Sequence, residues 1–195
     1  MKSLQLICIS LLLVLFAACE GNTGIDPAPV IEAPFVSLNH DGPVQTAPTL
    51  PGGEYEAAAR FDASEMVAFK DGKFVDVYFY VFNRPSSATV KIYKGSNFDG
   101  PEEVLYSAAI SSSIEVNSWN RHTISAPVTI EDDDYWIAIK FGISNPGQII
   151  GCDEGPANPD GDWLFQTLDG NWNSFRTVTS QEASINWNIR GVIEP

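Results

Sequence analysis

From residue 54 onward the apolar positions recur every second residue, the period of a strand with one covered face. Phe74 to Phe82 carries Val75, Val77, Phe79 and Val81 on one face and Asp76, Tyr78, Tyr80 and Phe82 on the other. The turn-forming run Asn83-Arg84-Pro85-Ser86-Ser87 follows, then Thr89 to Tyr93 alternates again, so the two strands are predicted to form a hairpin. Val104 to Val116 is β-prone but broken at Ser111-Ser112-Ser113. Trp119–Ile124 and Val128–Ile130 are short strands with Pro127 between them. Tyr135 to Phe141 sets Tyr135, Ile137, Ile139 and Phe141 against Trp136, Ala138 and Lys140. Trp163–Thr167 is a further strand. The last, Ile185–Ile193, is predicted to bury Ile185, Trp187, Ile189 and Ile193 and to show Asn186, Asn188 and Arg190. One short helix interrupts: Asp62 and Glu65 have the spacing of a capping box, and Gly72 stops the helix. Short strands separated by turn signals predict an all-β chain, an antiparallel jelly-roll-like β-sandwich with one short helix.

The beginning of the chain has a different pattern. Met1 and Lys2 precede a run of apolar residues from Leu4 to Ala18, the layout of a secretory leader and short for a membrane span. It ends in Leu15-Phe16-Ala17-Ala18-Cys19, which resembles the cleavage motif of bacterial lipoproteins. That resemblance implies a leader over 1–18 and a lipid on Cys19. With Cys8 lost in the leader and Cys19 acylated, Cys152 has no partner for an internal disulfide and reads as a small buried apolar residue. Residues 19–53 hold six prolines, Pro27, Pro29, Pro34, Pro43, Pro48 and Pro51, with no sustained period. They read as a Pro-rich tether, with docking of Ile31–Leu38 as an edge strand as the alternative. His40 in this segment reads as solvated. The folded domain is then 54–195.

Charge narrows the partners. Of 195 residues, 11 are Lys or Arg and 25 are Asp or Glu, a net charge of −14. Such a surface does not grip a phosphate backbone, so nucleic acid is excluded, and membrane contact is expected through the lipid only. Catalytic signatures are sparse. There is no H-E-x-x-H and no G-x-S-x-G, and the two histidines are His40 and His122. A paired-carboxylate hydrolase is the weaker alternative that spacing does not exclude.

Three groups of residues carry candidate chemistry. The loop from Cys152 to Asp162 packs carboxylates among Gly and Pro, so Asp153, Asp160 and Asp162 are candidate Ca²⁺ ligands; the competing reading is a solvated loop of Asx turns. Tyr78, Tyr80 and Tyr93 form a candidate aromatic platform, since sugar rings stack on such faces. Trp163 and Trp172, the latter in an expected loop from Leu168 to Phe175, form a second platform. Trp119, Trp136 and Trp187 sit within strands and are expected in the core. The acidic run Glu131–Asp134 and the row Asn186, Asn188 and Arg190 read as solvated, with Arg190 pairing an acidic neighbour.

Several strings in order also resemble a known module. They are Ala59-Arg60-Phe61, Val77-Tyr78-Phe79-Tyr80, Val90-Lys91-Ile92-Tyr93, Val104-Leu105-Tyr106-Ser107, Trp119-Asn120, Pro127-Val128 and Tyr135-Trp136-Ile137, then Gly151 to Pro156, Gly161-Asp162-Trp163 and Asn186 to Gly191. Over roughly residues 56–193 they are similar to the non-catalytic jelly-roll modules of surface lipoproteins and secreted peptidases of Gram-negative anaerobes, of the gingipain-adhesin type. The resemblance implies export, an outer-membrane address and an accessory or adhesive role. The expected function is non-enzymatic recognition of a glycan or an extracellular protein or peptide, with no required cofactor beyond a possible Ca²⁺. The alternative is an accessory subunit that binds a partner such as an envelope peptidase.

Overall fold

The computed structural model describes residues 25–97 and 100–195. The expected leader and Cys19 lie outside the described residues. In chain order the elements are β1 (Val36–Leu38), β2 (Thr49–Leu50), β3 (Gly53–Phe61), α1 (Ala63–Met66), β4 (Lys73–Val81), β5 (Ser87–Lys94), β6 (Glu103–Ala109), β7 (Ser118–Thr129), β8 (Tyr135–Ile143), β9 (Gly147–Gln148), β10 (Trp163–Gln166), β11 (Asn171–Ser174), α2 (Phe175–Val178) and β12 (Ile189–Glu194). Two antiparallel sheets face each other, a four-stranded one ordered β1-β12-β4-β7 and a six-stranded one ordered β11-β10-β3-β8-β5-β6. Eight of these strands, β1-β12-β4-β7 over β3-β8-β5-β6, trace a jelly roll. The β10–β11 hairpin widens the second sheet beyond β3.

The alternation does most of this work. Tyr55, Ala57, Ala59 and Phe61 of β3, Val90 and Ile92 of β5, and Tyr135, Ile137, Ile139 and Phe141 of β8 all enter one interior cluster. There they meet Phe74, Val77, Phe79 and Val81 of β4 and Ile189 and Ile193 of β12. Val75 is replaced at this face by Phe74. Pairing of β4 skips from Phe74 to Asp76 against both neighbours, so Val75 is the extra residue of a bulge that reverses the alternation below it. The helix begins as expected: the Asp62 carboxylate accepts from the Glu65 N–H, and the Glu65 carboxylate accepts from the Asp62 N–H, each at 3.0 Å. Met66 fills the end of the core with no exposed surface.

The predicted β4–β5 hairpin is not formed. β4 and β5 lie in different sheets, and Asn83–Ser86 carries the chain from one layer to the other. A run rich in Asn, Pro and Ser breaks a strand equally well in either role, and the partner of each strand is set by residues far along the chain.

The expected tether also differs. Its described part, from residue 25, is a strap laid on the four-stranded sheet. Val36, Ser37 and Leu38 pair with Ile193, Val192 and Gly191, supplying the outermost strand of that sheet. Asp41 then turns in beneath the strap with no exposed side-chain surface. Arg190 donates to it from Nε at 3.0 Å and from Nη2 at 2.8 Å, and the Asn188 amide donates at 2.8 Å. The Gly42 N–H donates to Asp153 at 2.8 Å, and Thr46 and Cys152 exchange backbone bonds. His40 is docked rather than solvated: its ring stacks on Phe61 at 4.5 Å, and its Nε2 lies 2.6 Å from the Arg60 carbonyl oxygen. The compact body therefore starts by Val36, not at residue 54.

A buried carboxylate that loses its cation, or the reverse, costs about 3–5 kcal/mol. Asp41→Asn is expected to lower stability by about that much in urea denaturation, with a smaller loss when Arg190→Met is added. A fragment beginning at residue 54 is expected to lose its cooperative transition, which the same titration reads.

Candidate functional site

The two outer faces of the sandwich differ. The strap covers much of the four-stranded sheet. The outer face of the six-stranded sheet carries a second apolar cluster, separate from the core, made of Ala58, Tyr93, Trp136 and Ala138 with Trp163 and Trp172 packed on it. Alternation explains its composition. On β3 the outward residues between Ala57 and Phe61 are Ala58 and Arg60; on β8 they are Trp136, Ala138 and Lys140. Trp163 lies opposite Ala58 on the neighbouring strand, and Trp172 lies opposite Phe165 across the β10–β11 pair.

Trp136 is the hub. Its ring centroid lies 5.0 Å from that of Trp163 and 5.4 Å from that of Trp172, both tilted by close to 60°. Phe165 and Tyr93 meet Trp172 at 5.5 and 6.3 Å. Trp136 itself is buried, whereas Trp163 and Trp172 are half-exposed. The floor between them is built from the small side chains of Ala58 and Ala138, so the belt has relief without depth. Gly100 holds the far side: at φ +130°, a Cβ there would collide with the Trp172 ring, so the chain passes directly over the indole edge.

Two polar clamps frame the belt. In the first, the Tyr93 hydroxyl donates to Glu56 at 2.5 Å, and the Lys91 ammonium donates to Glu56 at 2.7 Å and to the Tyr93 oxygen at 2.9 Å. Burial and the Glu56 hydrogen bond raise the Tyr93 pKa, so the phenol stays protonated and acts as a donor. In the second, the Arg60 guanidinium bridges Asp134 at 2.8 Å and Asp160 at 2.9 Å, with its carbon 6.0 Å above the Trp136 ring. Ser96 accepts from the Trp136 indole N–H at 2.8 Å and from Arg60 at 3.2 Å. Against the upward pull of burial, the Arg60 and Ser96 hydrogen bonds keep the Asp134 pKa below the ordinary carboxylate value. The ring positions are thus fixed before any ligand arrives.

The expected platforms are redistributed. Tyr93 belongs to this face, but Tyr78 and Tyr80 lie on the four-stranded sheet, so the three do not form one surface. Tyr80 has no exposed surface and packs on Phe82 at 5.0 Å and Trp119 at 5.8 Å. Tyr78 is half-buried under Arg121, whose guanidinium carbon is 5.9 Å away. Trp163 and Trp172 do come together, and Trp172 stands on a strand rather than in the expected loop. Trp187 is in the main core, Trp136 is buried in the smaller outer cluster, and Trp119 lies 4.7 Å under Arg190 on the strap side. Asn186 and Asn188 are buried instead of solvated, because the strap and the loop after Cys152 cover them. Alternation had already put Trp136 on the side of Lys140, opposite the Ile row, which was the one available signal for the outer cluster. Glu56, Lys91, Arg60 and Phe165 carried no such signal, since their partners come from other strands.

The three candidate Ca²⁺ ligands of the Cys152–Asp162 loop go to separate tasks. Asp153 accepts from the N–H groups of Gly42, Gly155 and Asn186 and from the Asn186 amide. Asp160 pairs with Arg60. Asp162 accepts from the Arg176 N–H at 3.0 Å and faces the Arg176 guanidinium at 3.3 Å. Among the described residues no three His, Cys, Asp or Glu side chains are placed to share a metal ion. The Cys152 thiol is buried, and burial, with the Asp153 charge behind it, pushes its pKa up to about 12, far from a thiolate nucleophile. His122 sits 2.8 Å from the Tyr106 hydroxyl, and burial lowers its pKa.

The comparisons with known proteins give a fold likeness. No protein-family model matches the chain, and no curated protein matches its sequence. A solved structure of the clostridial cysteine protease Cwp84 after propeptide cleavage superposes with a TM-score of 0.62 at 12% identity over 84% of this chain. A second, of the cysteine protease and lectin-like domains of Cwp84, a surface layer associated protein of Clostridium difficile, gives 0.52 at 14% over 73%. This chain spans 41% and 32% of the lengths of those two chains.

Burial raises the pKa of Asp162, with its Arg176 contacts opposing. A raised native pKa means the native state holds the proton more tightly than the unfolded chain. The associated stability is present below the unfolded value and is lost as pH rises through the native one. Asp162→Asn is therefore expected to gain on the parent protein as the pH rises from about 4, the ordinary carboxyl value, through the raised native one. Thermal denaturation at stepped pH checks this; a constant difference would refute it.

Proposed function

We propose that this chain is a non-enzymatic binding module that recognises a saccharide on the outer face of its six-stranded sheet. The observation that carries the reading is the pair of half-exposed indoles, Trp163 and Trp172, fixed on the buried Trp136 and framed by the Glu56–Lys91–Tyr93 and Arg60 clamps. Sugar rings present apolar C–H faces to such indoles and hydroxyls to the polar frame. A pre-set surface loses little side-chain freedom on binding, which favours affinity from few contacts.

Several features support a role without turnover. The Cys152 thiol is buried and protonated, and His122 is engaged by Tyr106. Asp162, whose raised pKa resembles that of a catalytic acid, has no exposed surface for a substrate to reach. The likeness to a protein described as having cysteine protease and lectin-like domains fits a module of this kind. The Cys19 motif places the module at the cell envelope in this proposal, with lipid as its membrane contact. The alternative of a partner protein requires a broad apolar patch. Of the large exposed apolar side chains, Val30 and Phe35 share one small pocket beside the strap, which is the one grouping the described residues show for that alternative.

Trp172→Ala and Trp163→Ala are each expected to weaken saccharide binding by about tenfold or more, about 1.4 kcal/mol, with unchanged far-UV circular dichroism. Tyr80→Ala is expected to lower the melting temperature, because it empties a packed site under the strap. Isothermal titration with oligosaccharides retained on a glycan array reads the first. Binding that survives both Trp substitutions would move the site elsewhere.

A further inference from the structure

We infer that the ligand of the aromatic face is an oligosaccharide without anionic groups, excluding uronate-bearing and sulfated chains; this rests on the saccharide reading above and adds the charge class. The argument is a census of the cations available to an anion. The basic side chains of β3, β5 and β8, the strands that carry the face, are Arg60, Lys91, Lys94 and Lys140. Each already has a carboxylate. Arg60 is shared between Asp134 and Asp160. Lys91 is held by Glu56 and also donates to Tyr93. Lys94 is paired with Glu131 and has Asp133 at 3.8 Å. Lys140 has Glu54 at 3.6 Å.

Lys94 lies on the inner side, beside Leu105, Val128 and Tyr135, so on the belt's own face four carboxylates answer three cations, and the chain as a whole carries −14. A sulfate or uronate entering here meets no cation without a carboxylate. At Arg60 or Lys91 it has to break a pair that is hydrogen-bonded and partly desolvated; Lys140, 3.6 Å from Glu54, is more exposed, and everywhere the anion adds its charge to a local surplus of the same sign. The Tyr93 hydroxyl proton is committed to Glu56, so this donor is not free to hold an anion either.

Hydroxyl groups fit the same frame. The Arg60 clamp offers acceptors, the partly exposed oxygens of Asp134 and Asp160, and a sugar hydroxyl donates to a carboxylate without bringing charge. The two partly exposed indoles flank one buried indole. Trp172 is the more constrained of the pair, wedged between Phe165, Tyr93 and Trp136 on one side and the Gly100 backbone on the other.

The test uses the purified protein and matched probes: oligomers of neutral hexoses and N-acetylhexosamines, and the same backbones bearing uronate or sulfate. The expected result is retention of a neutral oligomer, at least tenfold weaker binding of its anionic counterparts, and an affinity for the neutral chain that changes little between low and high salt. Trp172→Ala should weaken the neutral ligand while far-UV circular dichroism stays that of the parent. Equal or tighter binding of an anionic probe, lost on Trp172→Ala, would overturn the charge class and leave the saccharide face standing. Retention of no saccharide at all would overturn both.

Discussion

The Asp41 carboxylate lies under the N-terminal strap with no exposed surface, held in the fork of Arg190 and by the Asn188 amide. A charge in that position is tolerable only when paired and fully hydrogen-bonded. The requirement ties residue 41 to residue 190, and with them the strap to the last strand of the fold. Once that bond is made, β1 completes the four-stranded sheet, Tyr80 is buried, and Trp119 and Arg190 are partly covered. Much of the outer face of that sheet lies under the strap, while Arg121 stays exposed. The pair supplies little net stability relative to an apolar substitute; its effect is to decide where the strap goes.

Closing one outer face leaves the other to meet solvent. The six-stranded sheet keeps its apolar row inward and turns outward a belt of indoles bordered by ion pairs. Two features keep that belt from acting as an aggregation surface. Its largest ring, Trp136, is covered by Trp163 and Trp172. Its border is charged, and the surplus of carboxylates repels another copy of the same acidic chain. The same surplus of carboxylates disfavours an anionic ligand at the proposed saccharide face.

Much of this was legible in the residues. A strict two-residue period assigns nearly every inward side chain of β3, β5 and β8, and the Asp62–Glu65 pair marks the helix start, because both depend only on near neighbours. The same period misassigned Val75, since a bulge depends on the register of the neighbouring strands. Trp136 was on the outward row from the start. It is buried there, as a strand tryptophan read as core should be, but in the smaller outer cluster, because the β10–β11 hairpin supplies a roof.

The one-dimensional pattern therefore specifies which elements exist, which side of each is apolar, and that Cys152 has no partner for a disulfide. It leaves undetermined which sheet a strand joins. The turn at Asn83–Ser86 serves a hairpin and a crossover equally, so Tyr78 and Tyr93 looked like neighbours and stand instead on opposite sheets. It also leaves the Pro-rich segment ambiguous, because proline suits a free spacer and an edge strand alike. Its docking depends on Asp41 meeting Arg190, and the aromatic belt depends on Trp163 and Trp172 reaching Trp136. Contacts between residues so far apart leave no mark in local composition, because they arise only when the packed sheets bring the partners within reach.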